Sequence, residues 1–183
     1  MMMIRQATVN DWKGIAKVQV DSMREAYKNH FPAKVIDNMN YLDRENRWQN
    51  DLPKTISGGT MNYVVVNEKD IIIGFALGGT MRDPRLRIKY TGELYGIYLV
   101  PELQGQGFGK KLLESVAYHL ASQHHNSMAL WTLKPHNSCF FFERMQGKEV
   151  YEKNTMIGGK ELKECAYGWD DVQSILSETN HLN

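Results

Sequence analysis

Hydrophobic residues recur along the chain with two different periods, which predicts helices alternating with strands. Residues 10–29 have apolar positions at helical spacing, and Asn10 or Asp11 is suited to cap the start of that helix. A more polar stretch at 33–48 predicts a second helix. Residues 108–123 predict a third helix with a clear apolar face, and an aromatic-rich segment at 137–145 predicts a short fourth one.

Strand candidates share runs of β-branched or aromatic residues that are bounded by turn residues. The Gly158-Gly159 pair predicts a hairpin between the last two of them. These candidates are 3–8, 62–67, 71–82, 93–100, 127–133, 148–157 and 160–169. The resulting order of helices and strands predicts an α/β fold with a mixed sheet and helices on its faces.

Length and charge narrow the classes of function. The chain has 183 residues, which is the size of one ordinary domain, and we place that domain at 3–171 with a polar tail at 172–183. Its 22 basic and 21 acidic residues give a net charge of +1, so a nucleic-acid partner is not expected. No signal peptide or membrane-spanning stretch is visible, and two cysteines do not form a secreted disulfide framework. We therefore expect a cytoplasmic protein with no membrane partner.

The segment Gln104-Gly105-Gln106-Gly107-Phe108-Gly109-Lys110 lies between a predicted strand and the amphipathic helix. Its glycines and the first amides of that helix can present several N–H groups to a phosphate or pyrophosphate. The spacing matches neither a P-loop nor the dinucleotide-binding fingerprint. It fits the pattern Q/R-x-x-G-x-G/A through Gln104, Gly107 and Gly109. The alternative is a glycine-rich turn that only connects a strand to a helix.

The sequence resembles the GCN5-related N-acetyltransferases, most specifically in Glu93-Leu-Tyr-Gly-Ile-Tyr-Leu-Val-Pro-Glu-Leu-Gln-Gly-Gln-Gly-Phe-Gly109. This resemblance implies a mostly antiparallel central sheet with a V-shaped gap between two strands, and acetyl-CoA as co-substrate without a metal. The family's cofactor contacts fall here on Ile97, Tyr98, Leu99, Gln104, Gly105, Gln106, Gly107, Phe108, Gly109, Lys110 and Asn137.

The resemblance also implies a catalytic role for Glu93, because a glutamate at this place acts as general base in one branch of the family. A base is needed because an alkyl ammonium with a pKa near ~10 cannot attack a thioester. Equally open is a strand-end carboxylate that attracts a cationic substrate. The sequence departs from the family where a tyrosine usually protonates the CoA thiolate, since Phe142 stands there. Water, Tyr98 or Tyr95 are the replacements that we consider.

These observations predict an enzyme that moves the acetyl group of acetyl-CoA to a primary amine by direct attack. The acceptor is a small molecule or a peptide, and the resemblance allows a homodimer. The alternative, which the Phe142 departure motivates, is a non-catalytic acyl-CoA-binding regulator on the same fold.

Overall fold

A computed structural model describes residues 2–134 and 136–176. The helices are α1 (Trp12–Tyr27), α2 (Ala33–Asp37), α3 (Tyr41–Ser57), α4 (Phe108–Ser122), α5 (Asn137–Arg144) and α6 (Gln173–Leu176). The strands are β1 (Met3–Gln6), β2 (Met61–Val66), β3 (Ile72–Thr80), β4 (Gly92–Leu99), β5 (Met128–Lys134), β6 (Lys148–Ile157) and β7 (Lys160–Trp169). Within these residues, no helix is long and apolar enough to cross a membrane.

The strands form one seven-stranded sheet in the order β1-β2-β3-β4-β5-β7-β6. All neighbouring strands are antiparallel except β4 and β5, which confirms the mixed, mostly antiparallel sheet. The parallel pair is short: Gly92 lies opposite Met128 and Glu93 opposite Ala129, and no further pairing follows. The sheet therefore opens into a V beyond Glu93, as the family resemblance implies.

A β-bulge in β4 coincides with this opening. Leu77 of β3 lies opposite Gly96, but the next residue, Gly78, lies opposite Leu94, so Tyr95 is an extra residue in β4. A bulge bends its strand and increases the local twist. The bend directs the second half of β4 away from β5.

Helices cover both faces of the sheet, and each face has its own core. On one face α4 buries Leu112, Leu113 and Val116 against the central strands. On the other face α1 and α3 bury Ile15 and Leu52 against β2 and β3. The predicted hydrophobic face of α4 is thus confirmed.

Two sequence-based boundaries are wrong. The polar stretch predicted as one helix forms two, because the Asn40 side chain accepts a hydrogen bond from the Asp43 N–H and caps a new helix there. The predicted tail at 172–183 is also misplaced at its start. Val172 and Ile175 are only 1% and 2% exposed and belong to the core beneath α4. Residues 177–183 lie outside the described part of the chain.

We expect Leu113→Ala to lower the free energy of unfolding by about 2–5 kcal/mol, because Leu113 is fully buried between α4 and the sheet. Tyr118→Ala on the same helix is the control, since Tyr118 is 68% exposed and should cost less than about 1 kcal/mol. Urea denaturation of both variants checks this. Equal losses would mean that α4 does not pack through its Leu113 face.

Candidate active site

The V between β4 and β5 contains a cleft of about 550 Å³, a volume typical of small-molecule and cofactor sites. Residues from β4, β5, the glycine turn, α1 and α5 line it. They are Ser22, Met23, Ala26, Tyr27, Leu94, Tyr95, Gly96, Ile97, Tyr98, Leu99, Gln104, Gly105, Gly107, Gly109, Lys110, Leu130, Trp131, Thr132, His136, Asn137, Ser138, Phe141, Phe142, Arg144 and Met145.

The register of β3 and β4 determines which backbone groups of β4 face the cleft. The Val100 N–H donates to the carbonyl of Ile73, so this pair is hydrogen-bonded, and alternate pairs along the ladder are bonded likewise. Tyr98 is therefore bonded to β3, whereas Ile97 and Leu99 direct their N–H and C=O groups toward the open side. The side chain of Gln104 donates to the Leu99 carbonyl at 3.3 Å, as this orientation requires.

The glycine turn forms an anion cradle at the start of α4. Gly105 and Gly107 have φ values of +78° and +84°, which glycine adopts without steric cost. No described residue supplies an acceptor to the N–H group of either glycine. The first intrahelical bond of α4 runs from Lys111 N–H to the Gly107 carbonyl, so the amides of the preceding turn point outward with the positive end of the helix dipole.

The predicted cofactor-binding residues divide into two groups. Ile97, Tyr98, Leu99, Gln104, Gly105, Gly107, Gly109, Lys110 and Asn137 line the cleft. The other two do not line it with their side chains. Gln106 donates to the carbonyl of Glu102 at 2.8 Å, and the ring of Phe108 packs against the core beneath α4. Phe108 therefore has only its backbone amide to offer to a ligand, while the backbone N–H of Gln106 already donates to the Leu103 carbonyl at 3.4 Å.

Glu93 is buried at the point where β4 and β5 separate, and it does not line the cleft. Both of its oxygens accept hydrogen bonds from Arg82: Oε2 from the backbone N–H at 2.8 Å and from Nε at 3.2 Å, and Oε1 from Nη2 at 2.9 Å. The Arg82 guanidinium also lies 3.7 Å from the centre of the Tyr95 ring. This partner of Glu93 could not be identified from the sequence.

A chain of polar side chains that sequence reasoning missed enters the cleft from β5 and α5. The hydroxyls of Thr132 and Ser138 are 2.8 Å apart, and Ser138 Oγ is 2.9 Å from His136 Nδ1. His136 caps α5, because its Nδ1 accepts from the Ser138 N–H at 3.1 Å. Burial first, and then the nearby His30, lower the pKa of His136, against a hydrogen bond to the backbone of Ala26. This shift favours the neutral imidazole.

The tyrosines that line the cleft differ in the surroundings of their hydroxyl groups. Tyr95 donates its hydroxyl to the Thr80 carbonyl at 2.6 Å. The Tyr98 ring stacks on Phe75 at 4.8 Å and extends across Gly96, where a Cβ would lie 3.2 Å from the Tyr98 hydroxyl oxygen. Burial raises the pKa of Tyr27, at the end of α1, to about 12, so this phenol stays protonated.

Several residues with chemically useful side chains lie away from the cleft. Trp48 packs on Phe75 between α3 and the sheet. Cys139 and Cys165 are buried thiols whose sulfur atoms are 3.9 Å apart, and burial raises the pKa of Cys165 to about 12. Among the described residues, no group of three His, Cys, Asp or Glu side chains is arranged to hold a metal ion.

Known proteins are similar to this chain in sequence and in fold. The model of the FR47-like protein family matches residues 73–157, which include β4, the glycine turn and α5. The uncharacterized N-acetyltransferase YuaI of Bacillus subtilis (strain 168) is 34% identical over 180 residues, covering 98% of this chain and 99% of that protein.

Solved structures of N-acetyltransferases have the same architecture. The N-acetyltransferase from Staphylococcus aureus Mu50 superposes with a TM-score of 0.72 at 16% identity, over 94% of this chain and 99% of that one. The PaiA N-acetyltransferase from Thermoplasma acidophilum, solved in complex with coenzyme A, gives 0.68 at 16% identity, over 92% and 99%. The near-complete match to YuaI, together with this shared fold, shows that the chain belongs to the GCN5-related N-acetyltransferase family.

Proposed function

We propose that this protein transfers the acetyl group of acetyl-CoA to a primary amine, which attacks the thioester directly through a tetrahedral intermediate. The observation that carries this proposal is the V itself. It joins an anion cradle at one end to a strand with unpaired backbone groups and a cleft that α1 covers. The proposal also rests on membership of a family whose relatives are named N-acetyltransferases, one of them solved with coenzyme A.

In this proposal the pyrophosphate lies on the amides from Gly105 to Lys110, and the pantetheine arm extends along β4 like an added strand. The outward-facing N–H and C=O groups of Ile97 and the N–H of Leu99 are the natural partners of its two amides, while the Leu99 carbonyl accepts from the side chain of Gln104. Asn137 and Gln104 line the same path. An amide of β4 near Leu99 then supports the developing oxyanion, which is worth roughly 3–4 kcal/mol per donor in other enzymes.

The identity of the general base is the point at which the structure departs most from the sequence prediction. Both oxygens of Glu93 accept hydrogen bonds from Arg82 and its side chain does not line the cleft, so Glu93 has little to offer an incoming amine. We propose instead that the ammonium passes a proton through the Ser138 hydroxyl to the lone pair of His136 Nδ1, which then gives up the hydrogen bond that it accepts from the Ser138 N–H. The free amine then attacks, and His136 later releases its proton to solvent.

The second amine proton leaves with the collapse of the tetrahedral intermediate and ends on the CoA sulfur. Phe142 cannot supply it, and the Tyr95 hydroxyl is committed to Thr80. We propose Tyr98 as the relay, because its ring brings a hydroxyl across Gly96 at the cleft; this hydroxyl gives its proton to the sulfur and takes up the amine proton in exchange. Amide and CoA thiol are the products, and every proton is accounted for.

Release of CoA thiol from acetyl-CoA across a panel of amines tests the proposed function. The panel contains polyamines, aminoglycosides, amino acids and short peptides. We expect release with at least one chemical class and an acetylated amine of matching mass. If acetyl-CoA binds but no amine is acetylated, the protein is better explained as the acyl-CoA-binding regulator.

We expect Gly107→Ala to weaken acetyl-CoA binding about tenfold or more, because a side chain at φ +84° either costs about 1–2 kcal/mol or turns an amide out of the cradle. Gly59→Ala is a matched control: Gly59 has φ +81°, and a methyl group at either glycine would meet nothing within 4 Å. Calorimetric titration with acetyl-CoA measures both. If both variants lose affinity equally, the loss reflects strain alone.

We expect turnover to fall as the pH drops through the pKa of His136, which burial places below its ordinary value of about 6.5. The sign follows from the chemistry, since only neutral imidazole accepts a proton. His136→Asn keeps a capping side chain for α5 but removes the base, so turnover at pH 7 should fall about 10²-fold or more and this acid limb should disappear.

Glu93→Gln is the comparison for the same pH–rate measurement. If Glu93 only positions Arg82, this variant retains the acid limb that belongs to His136. Loss of the limb in Glu93→Gln with its retention in His136→Asn would restore Glu93 as the base and remove His136 from the mechanism.

A further inference from the structure

Three cations stand over aromatic rings that line the cleft, on the face of the sheet opposite α4. The Arg82 guanidinium lies 3.7 Å from the centre of the Tyr95 ring, and the Lys153 ammonium lies 3.8 Å from the Trp131 ring. Arg85 is 5.5 Å from the same tryptophan. We call Arg82, Arg85 and Lys153 the cationic rim.

Each rim cation has an acidic partner, but the two arginines are the outer members of their pairs. The side chain of Arg82 is 61% exposed while that of Glu93 is 7% exposed, and Arg85 is 48% exposed while Asp83 is 15% exposed. In the third pair, the side chains of Lys153 and Glu164 are exposed to nearly the same extent, 27% and 24%. The surface that a ligand meets at the arginines is therefore positive, with the compensating charge beneath it.

The two arginines are also held in the same way. Glu93 and Asp83 each bind the side of a guanidinium through Nε and Nη2. In Arg82 this leaves the end of the guanidinium, Nη1 with the second N–H of Nη2, pointing toward solvent. A fork of two parallel N–H groups matches the two oxygens of a carboxylate or a phosphate.

Arg82 is more rigidly placed than a surface arginine normally is. Glu93 holds its guanidinium and its backbone N–H, Tyr95 supports its flat face, and Thr80 fixes the tyrosine hydroxyl. Such preorganisation reduces the entropy that a side chain loses when it binds a ligand. Glu93 is then a positioning residue. Its burial where β4 and β5 separate is explained by its role in holding Arg82, with no proton transfer by Glu93.

We propose that the acceptor is an amine that also carries an anionic group, which binds the free end of Arg82 while the amine reaches the thioester in the V. This inference rests on the proposed function and specifies its substrate class. Tyr95 connects the two places, because its ring lines the cleft on one side and supports Arg82 on the other. Arg85 adds a second positive group next to Trp131.

The test compares acceptors that differ only in charge. ω-Amino acids are paired with their primary amides, and aminoalkyl phosphates with the corresponding amino alcohols, over a range of chain lengths. We expect kcat/KM for an anionic acceptor to exceed that for its neutral partner by about 10- to 100-fold. Whichever kind of pair gives the larger ratio of kcat/KM values identifies the anionic group as a carboxylate or a phosphate.

Arg82→Gln should reduce this ratio by at least tenfold, and Arg82→Lys should restore only part of it, because an ammonium lacks the fork. Arg82→Gln leaves Glu93 buried without its partner, so the double variant with Glu93→Gln is included to keep the protein folded. Lys89→Gln is the matched control. It removes one positive charge from the same loop, at a lysine paired with Asp170, and should leave the ratio unchanged.

Neutral or cationic amines that react as well as their anionic partners would overturn the inference, as would an unchanged ratio in the Arg82 variants. Failure of the proposed function would look different, since no amine of any charge would release CoA thiol. In that case, calorimetric binding of the same acceptor pairs to the CoA-loaded protein gives the charge ratio without turnover.

Discussion

The early end of the pairing between β4 and β5 is the constraint on which the site depends. After Glu93 and Ala129 the two strands separate, and β4 is left with backbone groups at Ile97 and Leu99 that have lost a neighbouring strand. Leaving such a group buried without a partner costs about 1–3 kcal/mol. The fold therefore creates a place for an extended ligand that carries amides of its own.

The separation of β4 and β5 leaves the cleft between two chemically different regions. At the α4 end, glycine conformations and a helix N-terminus present amides to an anion. On the opposite face, arginines stand on aromatic rings above buried carboxylates. The anionic group of the proposed acceptor binds on this face, at Arg82 beside the bulged residue Tyr95. The bulge thus supplies both the gap for one ligand and the support for Arg82 beside the other.

Local signals predicted the strands, the glycine turn and α4 well, because their spacing and capping depend on nearby residues. Partnerships that depend on the folded chain were not readable. Arg82 meets Glu93 only after the loop between β3 and β4 folds back. The backbone of Tyr98 was expected to pair with the cofactor, but which groups face the cleft depends on the register with β3. The role of His136 as the cap of α5 likewise depends on the conformation of the folded chain.

In the proposed mechanism the Phe142 departure leaves thiolate protonation possible, because a proton donor need only reach the sulfur, whichever element carries it. Phe142 is buried against Tyr167 and Trp169, where a ring is needed for packing. Tyr98 brings a hydroxyl to the V from β4 instead. Its ring can lie there only because position 96 is glycine, since a Cβ would come within 2.6 Å of the ring. Gly96 and Tyr98 therefore act together in the proposed mechanism, in which Tyr98 takes the place of the family's usual tyrosine on α5.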